Sequence, residues 1–445
     1  MIPRQHPQGG MSPDATLQCS VLQCTVLPAG LRVVTQQLAG SRSAAVGMWV
    51  AVGSRDEPTA VAGAAHYLEH LLFKGTTRRS AAAIAEEIDA VGGELNAFTT
   101  RDCTCYHAQV LDSDLELAID LVCDVLGDAQ IDPADVETER GVVLEEIAMR
   151  DDDPEDLLHD EFCAALFGSH PLGRPVLGTE ESVSGMSREA LHRFYRRRYT
   201  PERMVLAAAG NVTHSAVLAA VSRSFGPHLT GNALPVRPRR GRAHISARRA
   251  LALCPDSSEQ AHLMLGVPAI HRHDDRRYAL GVLNAALGGG MSSRLFQQVR
   301  EQRGLAYAVY SALDCYADTG SLSIYAGCSP GRLGEVAVVV GDVLADMARD
   351  GLSDAELARG KGQLRGALVL GLEDAPSWMT RIGTAELNHG EHDTVEHELR
   401  RIDGVTVEQV GELARELLCQ PITAAVVGPY PHTDDLPDEI AELIA

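Results

Sequence analysis

No stretch of this chain reaches the roughly 18 unbroken apolar residues that a membrane-spanning helix needs. The first residues, MIPRQHPQGGMSPDATLQ, lack the apolar core of a signal peptide. None of the ten cysteines, scattered from Cys19 to Cys419, forms a CxxC pair. With nothing pointing to export, they read as reduced, mostly buried small hydrophobes of a cytoplasmic protein. Basic residues are scarce beside acidic ones: 39 Lys and Arg against 61 Asp and Glu give a formal charge of −22. Such a surface repels nucleic-acid phosphates and anionic membranes, so neither is expected as a partner, whereas basic peptides are attracted. The same acidity also serves plain solubility.

The chain has 445 residues, 45% hydrophobic and 22% charged, which suits a globular protein of two or more domains. The run Leu234 to Arg242 (LPVRPRRGR) has no apolar period, and its prolines disfavour a helix. It reads as a solvated linker rather than a nucleic-acid patch.

The parts on either side follow one order of elements. In the first, a helical period from Ala81 to Val91 closes at Gly92-Gly93, and two strand-like segments (LNAFTT, CYHAQVL) precede a helix from Asp114 to Leu126. In the second, a helical stretch from Ser293 to Arg303 stops at Gly304. AYAVYSAL and SLSIYAGC follow, then a helix from Leu333 to Met347. Strands in neighbouring runs joined by short turns, such as Pro28-Ala29-Gly30, favour antiparallel pairing. The expected fold is α+β: two homologous domains, each a largely antiparallel sheet with helices packed on one face. The expected division is 20–230, a linker at 231–244, and 245–440.

One segment carries chemistry. Ala64-Ala65-His66-Tyr67-Leu68-Glu69-His70-Leu71-Leu72 has the apolar content of a helix and contains no Gly or Pro. At about 100° per residue, His66, Glu69 and His70 share one face. Two imidazoles a turn apart can hold one zinc ion at about 2.0–2.1 Å. Glu69 then lies beside the ion, where it can take a proton from water that the ion polarises. The competing reading, two ordinary core histidines, leaves a costly carboxylate between them.

Catalytic zinc takes three protein ligands and keeps one position open. The helical stretch Glu137 to Arg150 (ETERGVVLEEIAMR) offers the third. Val142, Val143 and Ile147 define its apolar arc; Glu146 falls inside that arc and Glu145 outside. Glu139, two turns before Glu146, shares the face. Glu146 is therefore the expected ligand and Glu139 its support. An amphipathic helix with overhanging carboxylates is the plainer alternative.

At these residues the chain resembles the pitrilysin and insulysin superfamily, the inverzincins, whose signature is HxxEH. The nearest likeness is to bacterial single-unit members similar to the subunits of mitochondrial processing peptidase. That family's third ligand is a Glu about 76 positions after the second His, which falls here on Glu146, and another Glu seven residues earlier matches Glu139. The likeness runs from about Cys24 to Gly428. It includes TVLPAGLRVV, GSRDE, HYLEHLLFKGT, GGELNAFTTRDCTCY, ERGVVLEEI, YTPERMVLAAAGNV and GGGMSSRLFQQVREQRGLAYAVYS. Asp102 departs from the pattern mildly, since Glu is commoner there.

The resemblance implies a zinc-dependent endopeptidase that hydrolyses peptides or unfolded segments without a covalent intermediate. Peptide substrate would add as a strand to the edge Glu94 to Thr99, touching Asn96, Ala97 and Phe98. Arg300 and Tyr307 match a pair that binds substrate and polarises the scissile carbonyl. Without the family they would read as a solvated helix end and a core residue. Aligning LNAALGGGM with LEHLLFKGT puts Gly281, Asn284 and Ala285 opposite His66, Glu69 and His70, so one Zn2+ per chain is expected. Gly288-Gly289-Gly290 resembles a shortened substrate-contacting loop, or else caps a helix. Family members of this length pair, so a homodimer with Arg300 and Tyr307 serving the partner's zinc is implied. The family also contains non-catalytic subunits, and a peptide-binding subunit of the same fold is the alternative. A structural zinc site is disfavoured because no Cys lies near the motif. His271, His273, His389, His392 and His397 have no helical ligand spacing and read as loop residues.

Overall fold

The computed structural model describes residues 22–444. The expected start at residue 20, the N-terminal segment and Cys19 lie outside this range. Two sheets form the frame. The first runs β1-β2-β6-β3-β5-β4, built from β1 (Leu22–Val26), β2 (Arg32–Gln37), β3 (Ser43–Val50), β4 (Glu94–Thr99), β5 (Thr104–Leu111) and β6 (Met204–Gly210). The second runs β7-β11-β8-β10-β9, from β7 (Ala250–Pro255), β8 (Ala261–Ala269), β9 (Ala306–Cys315), β10 (Gly320–Cys328) and β11 (Thr423–Gly428). Apart from β1, the two orders coincide. Each sheet is antiparallel except for one parallel pair, β2 with β6 and β7 with β11. The expected α+β architecture is what the chain adopts. Residues 232–249, which include the Pro- and Arg-rich run, contain no helix or strand.

The first sheet is followed or interrupted by α1 (Ala64–Leu72), α2 (Ala81–Ala90), α3 (Leu115–Gly127), α4 (Pro133–Asp152) and α5 (Pro154–Phe167). The turn at Pro28–Gly30 links β1 to β2, with Ala29 at φ 58° and Gly30 at φ 82°. Side chains cap the helices: Ser80 accepts the Ala83 N–H at 3.2 Å, and Asp132 accepts the Ala134 N–H at 2.8 Å. One core, with Val46, Met48, Leu68, Leu72, Val122 and Val143 all fully buried, lies between one face of the first sheet and its own helices. The second sheet repeats this against the helices Arg277–Leu287, Leu333–Asp350 and Val407–Leu418.

The opposite face of each sheet is covered by a helix from the other half. Helix Ala375–Asn388 sends Ala375, Met379 and Ile382 onto Val34, Trp49 and Val205 of the first sheet. Reciprocally, α5 sends Leu158, Phe162 and Leu166 onto Met264 and Ala425 of the second. Charges add to this exchange. Arg55, after β3, binds Asp102 of the β4–β5 turn at 2.8 Å and Asp318 of the β9–β10 turn at 2.7 Å. Arg272, after β8, also pairs with Asp102. These four residues occupy matching places in the two halves.

Four local readings change. Ser293 to Arg303 is not a plain α-helix: Phe296–Glu301 is a π-helix, with the Gln302 N–H donating to the Gln297 carbonyl at 2.9 Å. The wider turn is legible only from backbone pairing, not from apolar spacing. Val142 is 40% exposed, because the buried stripe of α4 runs through Val136, Glu139, Val143 and Ile147 instead. His397 lies in the helix Val395–Asp403, not in a loop. All nine described cysteines are free thiols, but only Cys105, Cys123, Cys163 and Cys328 are buried, while Cys24 and Cys419 are exposed. Among the described residues no helix is long and apolar enough to cross a membrane.

Candidate metal centre

His66, Glu69 and His70 stand on α1, whose N-terminus is fixed by a buried carboxylate. Glu57, 4% exposed, accepts the Gly63 N–H and the Ala65 N–H, each at 2.7 Å. It thereby satisfies donors that the first turn of a helix leaves free. Burial pushes its carboxyl up to about 8, against the pull of those two N–H groups. Tyr67 ties α1 to α4 by donating its hydroxyl to the Val136 carbonyl.

Across this contact α4 presents Glu146. The Nε2 atoms of His66 and of His70 each lie 3.4 Å from Glu146 Oε2. The ligand atoms of His66, His70 and Glu146 lie within 4.8 Å of one another, the one metal-competent group found among the described residues. Glu146 Oε2 and His66 Nδ1 are buried without a hydrogen-bond partner. Such an orphaned oxygen facing two imidazole nitrogens is costly unless a cation joins them. Bonds of about 2.0–2.1 Å in a tetrahedron separate ligand atoms by roughly 3.4 Å, the separation of each imidazole nitrogen from Glu146 Oε2. The donor set of two nitrogens and one carboxylate oxygen fits zinc.

Electrostatics prepare these donors. Burial, and then His70, push the His66 imidazole down to about 4, so it is a neutral base at ordinary pH. Glu139, 2% exposed, is held at 2.7 Å by Lys74 Nζ and sits 3.3 Å from His70 Nδ1. The carboxylate accepts a hydrogen bond from His70 Nδ1–H, which leaves the Nε2 lone pair facing Glu146. Glu69 is raised above the usual carboxylate range, first by burial and further by Glu146, with Thr99 and His70 opposing. Thr99, the last residue of β4, donates its hydroxyl to Glu69 Oε2 at 2.6 Å. Sequence reasoning missed Lys74, Thr99 and Glu57. A Lys four residues after His70 was the available signal for the first.

Strand β4 is the free edge of the first sheet and packs against α1. On it, Asn96 Oδ1 accepts the Ala97 N–H at 2.8 Å, and Phe98 is 36% exposed. In the second half Tyr307 is the second residue of the edge strand β9 and is 82% exposed. The Arg300 guanidinium stacks 5.1 Å from the Tyr307 ring centre. None of their described contacts reaches the His–Glu group; the structure brings them together with each other only. Where α1 has its motif, the helix Arg277–Leu287 has Gly281 against Leu364 and Asn284 accepting the Ser311 hydroxyl at 2.7 Å. Gly288 ends that helix, and Gly289 accepts from Gln363. His271, His273 and His389 come together, with ring centres 6.2 and 5.0 Å apart, but not as a metal group.

The chain belongs to the insulinase family, peptidase family M16. Residues 32–180 match the profile described as Insulinase (Peptidase family M16), and residues 185–364 match the one described as Peptidase M16 inactive domain. An uncharacterized zinc protease of Mycobacterium leprae is 56% identical over 441 residues, covering 99% of both chains. One from Bacillus subtilis is 39% identical over 401 residues, covering 90% of this chain and 96% of its own. The fold is also that of a protease from Helicobacter pylori, with a TM-score of 0.85 at 21% identity, covering 92% of this chain and 100% of that one.

Proposed function

We propose that this protein is a zinc-dependent endopeptidase that cuts peptides or unfolded protein segments. The observation that carries this is the orphaned Glu146 Oε2 set between two imidazole nitrogens, with the raised carboxyl of Glu69 on the same helix face. In this reading His66, His70 and Glu146 hold one Zn2+ per chain, in a metal-bearing domain spanning 20–230. A linker at 231–244 joins it to a metal-free domain at 245–440. The ion, when bound, supplies a Lewis acid for the scissile carbonyl and acidifies water.

The protein's own groups do the rest. Glu69 accepts a proton from the attacking water on a carboxylate oxygen and hands it to the leaving amine; its raised affinity for protons suits both roles. The Thr99 hydroxyl keeps that carboxylate turned toward β4. A peptide adding as a strand beside Asn96, Ala97 and Phe98 is read through its backbone, which tolerates varied side chains. Tyr307 donates a hydrogen bond to the oxygen that gains charge, and Arg300 holds substrate beside it. Because these two lie away from the metal group of their own chain, they act on a partner's centre in a homodimer. The zinc protease names of the relatives and the complete motif favour catalysis over a purely peptide-binding subunit.

The test is cleavage of a library of unstructured peptides by the zinc-loaded chain, with and without chelator. Cutting should stop with chelator and should be absent in Glu69→Gln, which keeps its zinc. Equal cutting by Glu69→Gln would overturn the assignment.

A further inference from the structure

The junction between the halves is rich in arginine, although the whole chain carries a formal charge of −22. A cavity of about 110 Å³ opens there, walled by Arg32, Arg203, Arg237, Arg239 and Arg272, with Asp102 as its acidic member. Three of the arginines meet carboxylates. Arg32 lies 3.4 Å from Glu386, Arg239 meets Asp56, and Arg272 pairs with Asp102. Asp102 is shared with Arg55, which is itself balanced by Asp318 at 2.7 Å. Arg203 and Arg237 enter no ion pair among the described residues. Five guanidinium groups thus face three carboxylates, an excess of two positive charges.

Arg32 lies deep in that wall, where its guanidinium also donates to the Glu386 carbonyl at 3.0 Å. Arg32 is 4% exposed, and its buried Nε has no hydrogen-bond partner among the described residues. The cavity wall is also fixed in place. The Val236 N–H donates to the Glu202 carbonyl at 2.7 Å, which holds the backbones carrying Arg237 and Arg203 side by side. His273 Nε2 lies 3.1 Å from the Arg239 carbonyl. These contacts fix the linker's backbone across the opening at little further cost in order.

We propose that this cavity binds a small phosphate-bearing anion through Arg32, Arg203, Arg237 and Arg272. Planar guanidinium forks match phosphate oxygens two at a time, and two excess charges match a doubly charged group better than a single carboxylate. The site is separate from the His–Glu group and does not depend on the peptidase reading. Two sources offer the same chemistry: an inorganic diphosphate and the phosphate tail of a nucleotide.

The test is titration calorimetry of the full zinc-loaded chain with sodium pyrophosphate and, separately, with ADP, in salt of matched ionic strength. The wild type is compared with Arg203→Ala/Arg237→Ala. The wild type should show saturable pyrophosphate binding, weakened at least tenfold in the double variant. If the double variant melts lower without ligand, Arg237→Ala alone, an exposed linker side chain, carries the comparison with a smaller expected loss. ADP binding that falls with the same substitutions assigns a nucleotide tail. Pyrophosphate binding without ADP binding assigns the free anion. No saturable binding of either, or equal binding by wild type and variants, overturns the proposal; equal binding would place the anion elsewhere, as on the bound metal ion.

Discussion

Trp49 and Gly383, from opposite halves of the chain, touch so closely that a Cβ on Gly383 would stand 2.5 Å from the indole ring. Trp49 is 1% exposed on β3, and Gly383 faces it from the helix Ala375–Asn388. The missing side chain is what lets this helix settle on the first sheet. Gly383→Ala should therefore destabilise the chain even though Ala is the better helix former by about 1 kcal/mol. Overpacking of about 1–3 kcal/mol outweighs that gain. Urea unfolding measures the difference, and a more stable variant would contradict the packing account.

Lys74 is the only cation on the buried carboxylate of Glu139 in the described structure. Lys74→Met leaves that carboxylate with the His70 imidazole alone. Zinc affinity should then fall by about 10–100-fold, the usual effect of losing a group behind a ligand. Competition against a chromophoric chelator reads this directly. Unchanged affinity would mean that His70 needs no such support.

Acid should weaken the metal-free chain through His66. Its folded value of about 4 lies below the ordinary value of 6.5. Between those two values the unfolded chain binds more protons than the folded one. The penalty is absent above about 6.5 and grows as pH falls toward 4, to on the order of 3 kcal/mol. Unfolding of chelator-treated protein at pH 7 and pH 4.5 should show a smaller difference in His66→Gln than in the wild type. An equal difference would place the proton uptake elsewhere.

Much of the site could be read locally. His66, Glu69 and His70 lie within one helical turn, so spacing alone put them on one face. Glu139 and Glu146 share a face of α4 for the same reason, and Val143 and Ile147 mark its buried side. The duplicated order of elements was also legible, because sheet and helix periods differ. What escaped depends on contacts across the fold. Thr99 reaches Glu69 only because β4 packs on α1, and Glu57 reaches the start of α1 through a loop. The exchange of helices left no periodic trace, since α5 and Ala375–Asn388 look like any amphipathic helix. Asp102, noted as a mild departure, turns out to hold two arginines from different halves.

Mixing inactive chains tests whether sites are shared. Glu69→Gln and Tyr307→Phe chains, each inactive, should recover about a quarter of wild-type cleavage when combined as equal parts of a homodimer. Half of the dimers would be mixed, each with one intact site. Activity that never exceeds that of either variant alone would place Tyr307 in its own chain's site or outside catalysis.

The reciprocal placement of α5 and the helix Ala375–Asn388 bears on how the chain can be divided. A protease nick within 232–249 would cut the only covalent thread there, yet each fragment would still close the other's sheet. The cut protein should travel as one particle. Either fragment made alone would leave a sheet face bare and should be prone to aggregate. The two halves are interlocked copies whose mutual grip, not the peptide between them, holds the molecule together.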